Sequence, residues 1–352
     1  MPRKKQVTLR DLAKLLGLSA HTVSKALRGL PGMSEETRSA ALKAAAAHGY
    51  RTKDQERSLA VERIPIIPHI PRRFKLIVPG SQLSSRMPQL LLEGLQSKLG
   101  EYGHSVDAVV LPAAVSNRPR FDAWVEKFHI AYSDGIFISP IIGETCEQML
   151  LELPLPRVLL NFPPPAAEAD SVVWDVGTAI YQSVRHLTAQ GHKRILYIGG
   201  IQEYRGFRLR WSSFVQAMRE AGLETRAEEH MTGEYRSKEL WMAKAKEFME
   251  GRRPTAVVVA IGDRALWIRE VCEALGKRIP DDISLISLEH ELNAAWPELA
   301  RPVLLIRECG VRAAERMLWR VANPNVPFEH IMLQGGFYKG STVFPQKLLP
   351  QK

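Results

Sequence analysis

The side chains best suited to specific polar contacts lie in one short run near the N-terminus. From Ser19 to Arg28, hydroxyl, imidazole, ammonium and guanidinium groups alternate with Val23, Ala26 and Leu27. These three apolar residues share one side of a helix, which leaves a polar face on the other side. Hydrogen-bond donors and a short methyl on such a face can bind base edges and phosphates; the alternative is a packing helix whose polar face is incidental. The face carries Ala20, His21, Thr22, Ser24, Lys25 and Arg28.

The positive charge of the chain is concentrated around this run. The 352 residues have a net charge of +10, and residues 1–75 hold 16 Lys+Arg against 6 Asp+Glu, whereas residues 76–352 hold 32 of each. A compact basic module on a neutral body is typical of polyanion binding, because lysine and arginine release the counterions condensed on phosphates. The alternative is a solvated basic tail.

The same segment contains the start and stop signals of three helices. Thr8 and Asp11 have the spacing of a capping box before a helix of about residues 9–16, and Gly17 permits a sharp turn. Ser19 can cap a second helix, and Ser34 a third that runs to His48 before Gly49. Two short helices joined by a glycine turn, with a third to complete a small core, predict a helix-turn-helix domain.

The phrases that carry this pattern also occur in a known family. They are Val7-Thr-Leu-Arg-Asp-Leu-Ala13, Gly17-Leu-Ser19, Thr22-Val-Ser24, Ser34 with Thr37-Arg38, and Gly49-Tyr50. In these residues the chain resembles the DNA-binding domain of the lactose and galactose repressor (LacI) family. The resemblance implies a bacterial transcription regulator whose headpiece, residues 1–50, binds operator DNA and whose two-lobed body binds a small effector. It places Ala20, His21 and Lys25 at base-reading positions and adds Thr8, Ser19, Thr22, Ser24, Arg28 and Tyr50 to the predicted DNA contacts.

Residues 51–71 are predicted to be a hinge and linker. In the family the hinge inserts a leucine into the minor groove, and Leu59 occupies the matching position; such a wedge costs unstacking energy and yields a bent site with more contacts. This chain has Thr52 and Lys53 in place of the usual proline and asparagine, and it has Glu56, a carboxylate that phosphates repel. The alternative is a charged linker helix with Leu59 resting on the body. The three prolines of residues 61–71 predict an extended connector.

After residue 71 the pattern is strand, loop and helix, repeated. This alternation predicts parallel sheets with helices on both faces, and therefore an α/β body. The proline cluster at residues 163–165 suits a crossing between two sheets. The predicted strands are residues 74–78, 106–111, 134–138, 157–160, 194–198, 256–260 and 283–286, and a helix is predicted over residues 88–102.

The body resembles the same family more loosely over nearly its whole length. The matching phrases are Asp134-Gly-Ile136, Gly191-His-Lys-Arg-Ile195, Pro254-Thr-Ala256, Ile279-Pro-Asp-Asp-Ile283 and Gly340-Ser-Thr342. They imply a periplasmic-binding-protein-like fold of two Rossmann-like lobes with a ligand in the cleft between them. Lobe 1 is expected at about residues 72–162 and 292–323, and lobe 2 at about residues 163–291 and 324–352. The family usually forms homodimers, and the tail after Phe344 is too short and too broken by proline for a tetramer heptad.

Five residues are predicted to bind the effector. Arg210, Asp263 and Glu289 match family contacts for polar effectors, and Ser81 and Phe162 could line the same cleft; for the last two, simple packing is the alternative. An arginine facing a carboxylate suits hydroxyl-rich or charged molecules such as carbohydrates. However, Gly262 replaces a frequent asparagine and Glu289 a usual aspartate, so a standard hexose does not follow. The body could instead be an effector-insensitive dimerisation scaffold.

Other function classes find little support in the sequence. Nucleophile elbows, P-loops, dinucleotide fingerprints and zinc-protease motifs are missing, so no catalytic residue or cofactor is predicted. Cys146, Cys272 and Cys309 form no CxxC, and neither a disulfide nor a metal site is expected. Neither a membrane-length apolar run nor a signal h-region occurs, which favours the cytoplasm.

The predicted function is sequence-specific regulation of transcription, most simply repression, by a homodimer that binds a pseudopalindromic operator and responds to a small effector. The alternative is a small-molecule binding module or enzyme with a non-specific basic arm for nucleic acid. Sequence preference separates the two, because a basic arm shows only the salt-dependent part of DNA binding.

Overall fold

The computed structural model describes residues 7–28, 30–48, 50, 71–82, 85–202, 204–235, 237–262, 264–291 and 294–346. The chain forms two compact units, Met1–Ile66 and Ile67–Lys352. The division falls inside the predicted linker. The predicted wedge residue Leu59 lies outside the described residues, as does the rest of residues 51–70.

The described part of the first unit consists of three helices: α1 Leu9–Leu16, α2 Ala20–Leu27 and α3 Glu35–Ala47. The predicted capping box is confirmed, because Thr8 N donates to Asp11 Oδ2 at 2.8 Å and Asp11 N donates to Thr8 Oγ1 at 3.3 Å. Gly17 ends α1 at φ 64°, a left-handed conformation that favours glycine. Ser34 caps α3 by accepting from Thr37 N at 3.2 Å.

A small apolar core holds these helices together. It is built from Leu12 of α1, Val23 and Ala26 of α2, and Ala41 and Ala45 of α3, all buried. Val23 and Ala26 were predicted on the inner side of α2 from their spacing, and both are found there. The alanines let α3 approach the other two helices closely, so a domain of this size can bury a core at all.

The second unit is an α/β body with two parallel sheets. The first sheet has the strand order β10-β5-β4-β3-β1-β2, and the second has the order β6-β7-β8. Single bridges at Met231 and Ala300 extend the second sheet at its two edges. A short antiparallel pair, β9 with β11, completes the pairing. The strands are β1 Arg73–Pro79, β2 Ser105–Leu111, β3 Gly135–Ile138, β4 Arg157–Leu159, β5 Asp170–Trp174, β6 Ile195–Ile198, β7 Ala256–Val259, β8 Ser284–Ser287, β9 Arg301–Pro302, β10 His330–Leu333 and β11 Phe337–Tyr338.

Helices cover both sheets. Against the first sheet, Phe121, Trp124 and Leu150 of α5 and α6 pack with Ile77 and Ile138. Against the second sheet, α9 and α10 bury a cluster of apolar residues, and α7 packs on α8. We call the first sheet with α4–α6 and α11 lobe 1, and the second sheet with α7–α10 lobe 2. The helices are α4 Arg86–Gly100, α5 Arg118–Lys127, α6 Glu144–Leu151, α7 Val176–Ala189, α8 Arg205–Glu220, α9 Lys238–Arg252, α10 Ala265–Ala274 and α11 Ile306–Ala322.

The lobe boundaries differ from those expected. Strands β5 and β10, which the expected boundaries assign to lobe 2, pair with each other inside the sheet of lobe 1. The chain therefore passes between the lobes after Trp174 rather than at the proline cluster, and again between β9 and α11 and between β10 and β11. The chain thus crosses between the lobes three times.

Strand β5 was not predicted from the sequence, and it begins with a buried acidic residue. Asp170 is fully buried. Its carboxylate accepts hydrogen bonds from Arg320 Nε at 2.6 Å and from Glu329 N at 2.9 Å. It also forms an ion pair with Arg316 Nη2 at 2.9 Å. Burial by itself raises the pKa of Asp170, but these partners outweigh it and hold the pKa below its ordinary value. A buried aspartate is stable here because both arginines come from α11, far along the chain.

Two glycines bring α4 and α11 into close contact. A Cβ at Gly94 would lie 2.1 Å from the carbonyl oxygen of Arg307, and a Cβ at Gly310 would lie 2.4 Å from that of Leu91. Both distances are far below van der Waals contact, so only glycine fits. Among the described residues, no helix is both long and apolar enough to cross a membrane.

Candidate DNA-binding helix and ligand cleft

The start of α2 is fixed by its own hydroxyl groups. Ser19 Oγ accepts from Thr22 N at 3.0 Å and lies 2.8 Å from Thr22 Oγ1. Of the predicted DNA contacts, these two side chains therefore already bind each other. Their placement leaves the first turn of α2 with a rigid N-terminus from which the following side chains project.

The remaining predicted residues of α2 differ in exposure. His21 and Arg28 are exposed, and Ser24 and Lys25 are partly exposed. Ala20 instead packs partly against the headpiece core. Arg28 Nε donates to the carbonyl oxygen of Ser24 at 3.2 Å.

The cations of α2 keep their charge available. Within the described headpiece, neither Lys25 nor Arg28 forms an ion pair, whereas Arg38 of α3 lies 3.7 Å from Glu35. The Lys25 ammonium extends over the turn after α2, so that a Cβ built at Gly32 would lie 3.9 Å from its Nζ. An exposed helix face with unneutralised cations can bind a polyanion without first breaking an internal salt bridge.

Two further predicted DNA contacts have structural roles. Thr8 is the cap of α1, and its hydroxyl donates to Asp11 Oδ2 at 2.7 Å. Tyr50 packs against the headpiece core, and its N donates to the carbonyl oxygen of Ala45 at 2.9 Å. Both side chains also retain some exposure, which leaves them accessible to a phosphate.

The body contains a cavity where its two lobes face each other. It lies at the carboxyl ends of β3, β4 and β5 and at the first turns of α7 and α8, the position at which open α/β sheets bind ligands. Its volume is about 50 Å³. The apolar part of the lining includes Met87, Ile141, Leu160, Phe162, Val173 and Phe207.

Arg210 and Phe162 are the two predicted effector residues that line this cavity. Arg210 Nη1 donates to the carbonyl oxygen of Ala260 at 2.8 Å, and its guanidinium carbon lies 5.1 Å from the centre of the Phe207 ring. Arg210 Nε is buried and has no hydrogen-bond partner among the described residues. Burial lowers the pKa of this guanidinium from its ordinary value. No carboxylate of the described residues forms an ion pair with Arg210, so an anion bound beside it would be stabilised.

Ser81 and Glu289 do not line this cavity. Ser81 lines a neighbouring groove of about 320 Å³ at the ends of β1 and β2. Glu289 is buried, accepts a hydrogen bond from Ser287 Oγ at 2.6 Å, and interacts electrostatically with Arg301. Asp263 lies outside the described residues. Of the four predicted effector residues that the structure describes, Arg210 and Phe162 line this cavity.

The His290 side chain packs against Gly262, the glycine that stands where the family often has asparagine. A Cβ at this position would lie 3.0 Å from Cε1 and Nε2 of His290. The imidazole ring thus fills space that a larger side chain at position 262 would need. Sequence reasoning noted the glycine but had no signal for the histidine that packs over it.

Sequence reasoning also missed an ion pair that joins the lobes. Arg205, at the start of α8, donates through Nη2 to Glu147 of α6 at 2.6 Å and through Nε to the carbonyl oxygen of Phe162 at 2.7 Å. Glu147 is only 2% exposed, and Asn161 Nδ2 donates to it at 3.4 Å. Two more exposed pairs, Arg208 with Glu144 and Arg86 with Glu291, also span the lobes. Nothing in a single sequence links residues this far apart.

The comparisons with known proteins agree with this architecture. Residues 8–53 match the family model described as bacterial regulatory proteins, lacI family, and residues 184–343 match that of a periplasmic binding protein-like domain. Catabolite control protein A of Priestia megaterium is 25% identical over 300 residues, covering 85% of this chain and 86% of that protein. The transcriptional repressor PurR of Vibrio vulnificus is 24% identical over 321 residues, covering 89% of this chain and 92% of its own.

Solved structures show the same fold. A complex of the transcriptional regulator CelR with cellobiose superimposes with a TM-score of 0.67 at 20% identity, over 96% of this chain and 99% of that one. The lac repressor dimer bound to operator and the anti-inducer ONPF gives a TM-score of 0.67 at 20% identity, over 97% of this chain and 100% of that one.

An exposed, cation-bearing helix in a helix-turn-helix unit and a two-lobed α/β body with an interlobe cleft define a DNA-binding regulator. The chain belongs to the LacI family of bacterial regulatory proteins, and it is a transcriptional regulator rather than an enzyme.

Proposed function

We propose that the chain is a repressor that binds a pseudopalindromic operator as a homodimer and is controlled by a small molecule in the interlobe cleft. The observation that carries this proposal is the outer face of α2, where His21, Lys25 and Arg28 stand on a capped helix and form no ion pair with any described residue. A helix of this size enters a major groove, and residues near its N-terminus reach base edges.

The two-fold symmetry of a homodimer determines the symmetry and half-site spacing expected of the operator. Two headpieces related by a two-fold axis read half-sites about one helical turn, roughly 10 base pairs, apart. The lac repressor, which has the same fold, has been solved as a dimer bound to operator. Since its target is chromosomal DNA, we place the protein in the cytoplasm.

Effector control requires a ligand that favours one arrangement of the lobes over another. The cavity lies between the lobes, so a bound molecule contacts both of them. Proteins of the same fold have been solved with cellobiose, with ONPF and with ribose. Arg210 and Phe162 are the proposed contacts, with Ser81, Asp263 and Glu289 as further candidates. Leu59 is the proposed minor-groove wedge.

The decisive experiment is selection of bound sequences from a random duplex pool by the full-length protein. At about 0.15 M salt, non-specific attraction is weakened. We expect recovery of one pseudopalindrome, bound roughly 10³-fold or more tightly than random DNA. If no motif is enriched and binding declines only with salt, the chain is a binding module with a basic arm, and the repressor proposal is wrong.

A further inference from the structure

The residues that line the interlobe cavity are mostly apolar. Phe162 and Phe207 supply ring faces, and Leu160, Ile141 and Met87 supply aliphatic groups. A sugar brings several hydroxyl groups into such a site, and each one buried without a partner costs free energy. An apolar ring has no such cost and stacks well on aromatic side chains. The lining therefore favours a ligand with an apolar, planar body.

Two buried hydrogen-bond donors belong to residues of the lining. Among the described residues, neither Trp174 Nε1 nor Arg210 Nε has a hydrogen-bond partner. By contrast, the Asn161 side chain, on the same lining, is already engaged, since its Oδ1 accepts from Phe162 N at 2.9 Å and its Nδ2 donates to Glu147. Buried donors without partners are rare in folded proteins. A ligand with acceptor oxygens would supply the partners that these donors lack.

The charge at this end of the cavity is positive. The guanidinium of Arg210 contacts a carbonyl oxygen and an aromatic ring, and no described carboxylate neutralises it. Arginine binds carboxylates in a two-pronged geometry that a single neutral hydroxyl cannot match.

We propose that the effector is an aromatic carboxylate rather than a sugar, with its carboxylate on Arg210 and Trp174 and its ring against Phe162 and Phe207. This inference rests on the proposed role of the cleft as the effector site. The cavity of about 50 Å³ has room for only a few water molecules. The lobes must therefore separate to admit the ligand and close over it.

Calorimetric titration of the full-length protein tests this ligand class without DNA. The probes are benzoate and phenylacetate, with benzamide as a neutral match and glucose and cellobiose as sugars. We expect the two carboxylates to bind, benzamide to bind at least about tenfold more weakly, and the sugars not to bind at about 1 mM. Sugar binding without carboxylate binding, or no binding of either carboxylate at this concentration, overturns the proposal.

Variants locate the binding site. Arg210→Gln should weaken benzoate binding at least about tenfold, because it removes the charge-assisted hydrogen bonds. Arg210→Lys keeps the positive charge but loses the two-pronged hydrogen-bonding geometry, so it should also weaken benzoate binding. This variant replaces Arg210→Gln if that protein does not fold. Trp174→Phe should weaken it about threefold or more by removing one donor. Arg219→Gln, an exposed arginine on the same helix, is the matched control and should bind benzoate normally.

Equal benzoate affinity in the parent, Arg210→Gln and Arg210→Lys proteins would show that the carboxylate binds elsewhere, which contradicts the proposal. The operator selection is independent of these titrations. A recovered operator with no carboxylate binding refutes the ligand class alone, whereas carboxylate binding with no recovered operator refutes the repressor proposal alone.

Discussion

Lys25 is the residue at which DNA sequence preference is most directly testable. It stands on the exposed face of α2 without an ion pair, so its ammonium can reach a base edge or a phosphate. Replacing Lys25 by Ala should weaken operator binding by about 1–3 kcal/mol and relax discrimination at one position of each half-site. Binding of the selected operator and of its single-base variants measures both effects.

Lys43 provides the control for this substitution. It is an exposed lysine on α3, so Lys43→Ala removes the same charge from the headpiece away from α2. We expect a small, uniform loss over all DNA sequences. A Lys25→Ala protein that shows the same uniform loss would assign Lys25 to the DNA backbone instead of the bases.

His230 makes the stability of lobe 2 sensitive to acid. Its Nδ1 accepts from Tyr197 N at 3.0 Å and its Nε2 lies 3.2 Å from the Thr225 hydroxyl. Burial, with a smaller effect from Arg252, lowers the pKa of His230 from 6.5 to about 4. Between these two pH values His230 is protonated in the unfolded chain but neutral in the folded chain. The free energy of unfolding therefore falls as the pH decreases from 6.5 to about 4.

Replacing His230 by Asn should remove this sensitivity, because the amide oxygen keeps an acceptor for Tyr197 N and does not titrate. The loss of stability between these pH values should become smaller by about 3 kcal/mol. Urea unfolding at a series of pH values measures it, with the exposed His330→Asn protein as control. Identical pH profiles for parent and His230→Asn would refute the assignment.

At the scale of elements, the contact between α4 and α11 depends on glycine. A Cβ at Gly310 would lie 2.4 Å from the carbonyl oxygen of Leu91, a backbone atom that cannot move by a side-chain rotation. Gly310→Ala should therefore destabilise the body by about 3 kcal/mol or more, since the two helices must separate.

Gly100→Ala is the matched control. Gly100 ends α4, and a Cβ there would meet nothing within 4 Å. This substitution should be neutral or should stabilise by about 0.5 kcal/mol, because alanine is the better helix former. Both proteins are compared by urea unfolding at one protein concentration, since dimerisation would contribute to stability. Similar unfolding midpoints would show that the helix contact tolerates a methyl group.

At the scale of the whole body, the buried ion pair of Arg205 and Glu147 joins the two lobes. Removing Arg205 leaves the Glu147 carboxylate buried and uncompensated, which costs about 3–5 kcal/mol. Opening the cleft relieves this cost by exposing Glu147 to water. We therefore expect Arg205→Gln to shift the ligand-free protein towards an open body, with a larger radius of gyration in small-angle scattering.

Arg208→Gln is the control for lobe opening. Arg208 lies on the same helix and pairs with Glu144 at 3.4 Å, but both side chains are exposed. Exposed ion pairs contribute little, about 0–1 kcal/mol, so this protein should scatter like the parent. If Arg205→Gln also scatters like the parent, the closed arrangement is maintained by the apolar contacts of the cleft instead.

The sequence by itself determined the headpiece and most of the strands. The capping box of Thr8 and Asp11, the turn at Gly17 and the inner side of α2 follow from residues within a few positions of each other, and such local patterns are legible in one sequence. Apolar runs likewise identified β1–β4 and β6–β8 to within a few residues.

Only the tertiary structure decided the lobe boundaries and the cleft. Strand β5 was missed, and its buried Asp170 is neutralised by Arg320, which lies 150 residues away in the sequence. Glu289, a predicted effector contact, accepts a hydrogen bond from Ser287 and interacts electrostatically with Arg301, while Trp174 at the end of the missed strand lines the cavity. The physical reason is common to these cases: the free energy of a buried polar group depends on its partners, and distant partners are brought to it only by the fold.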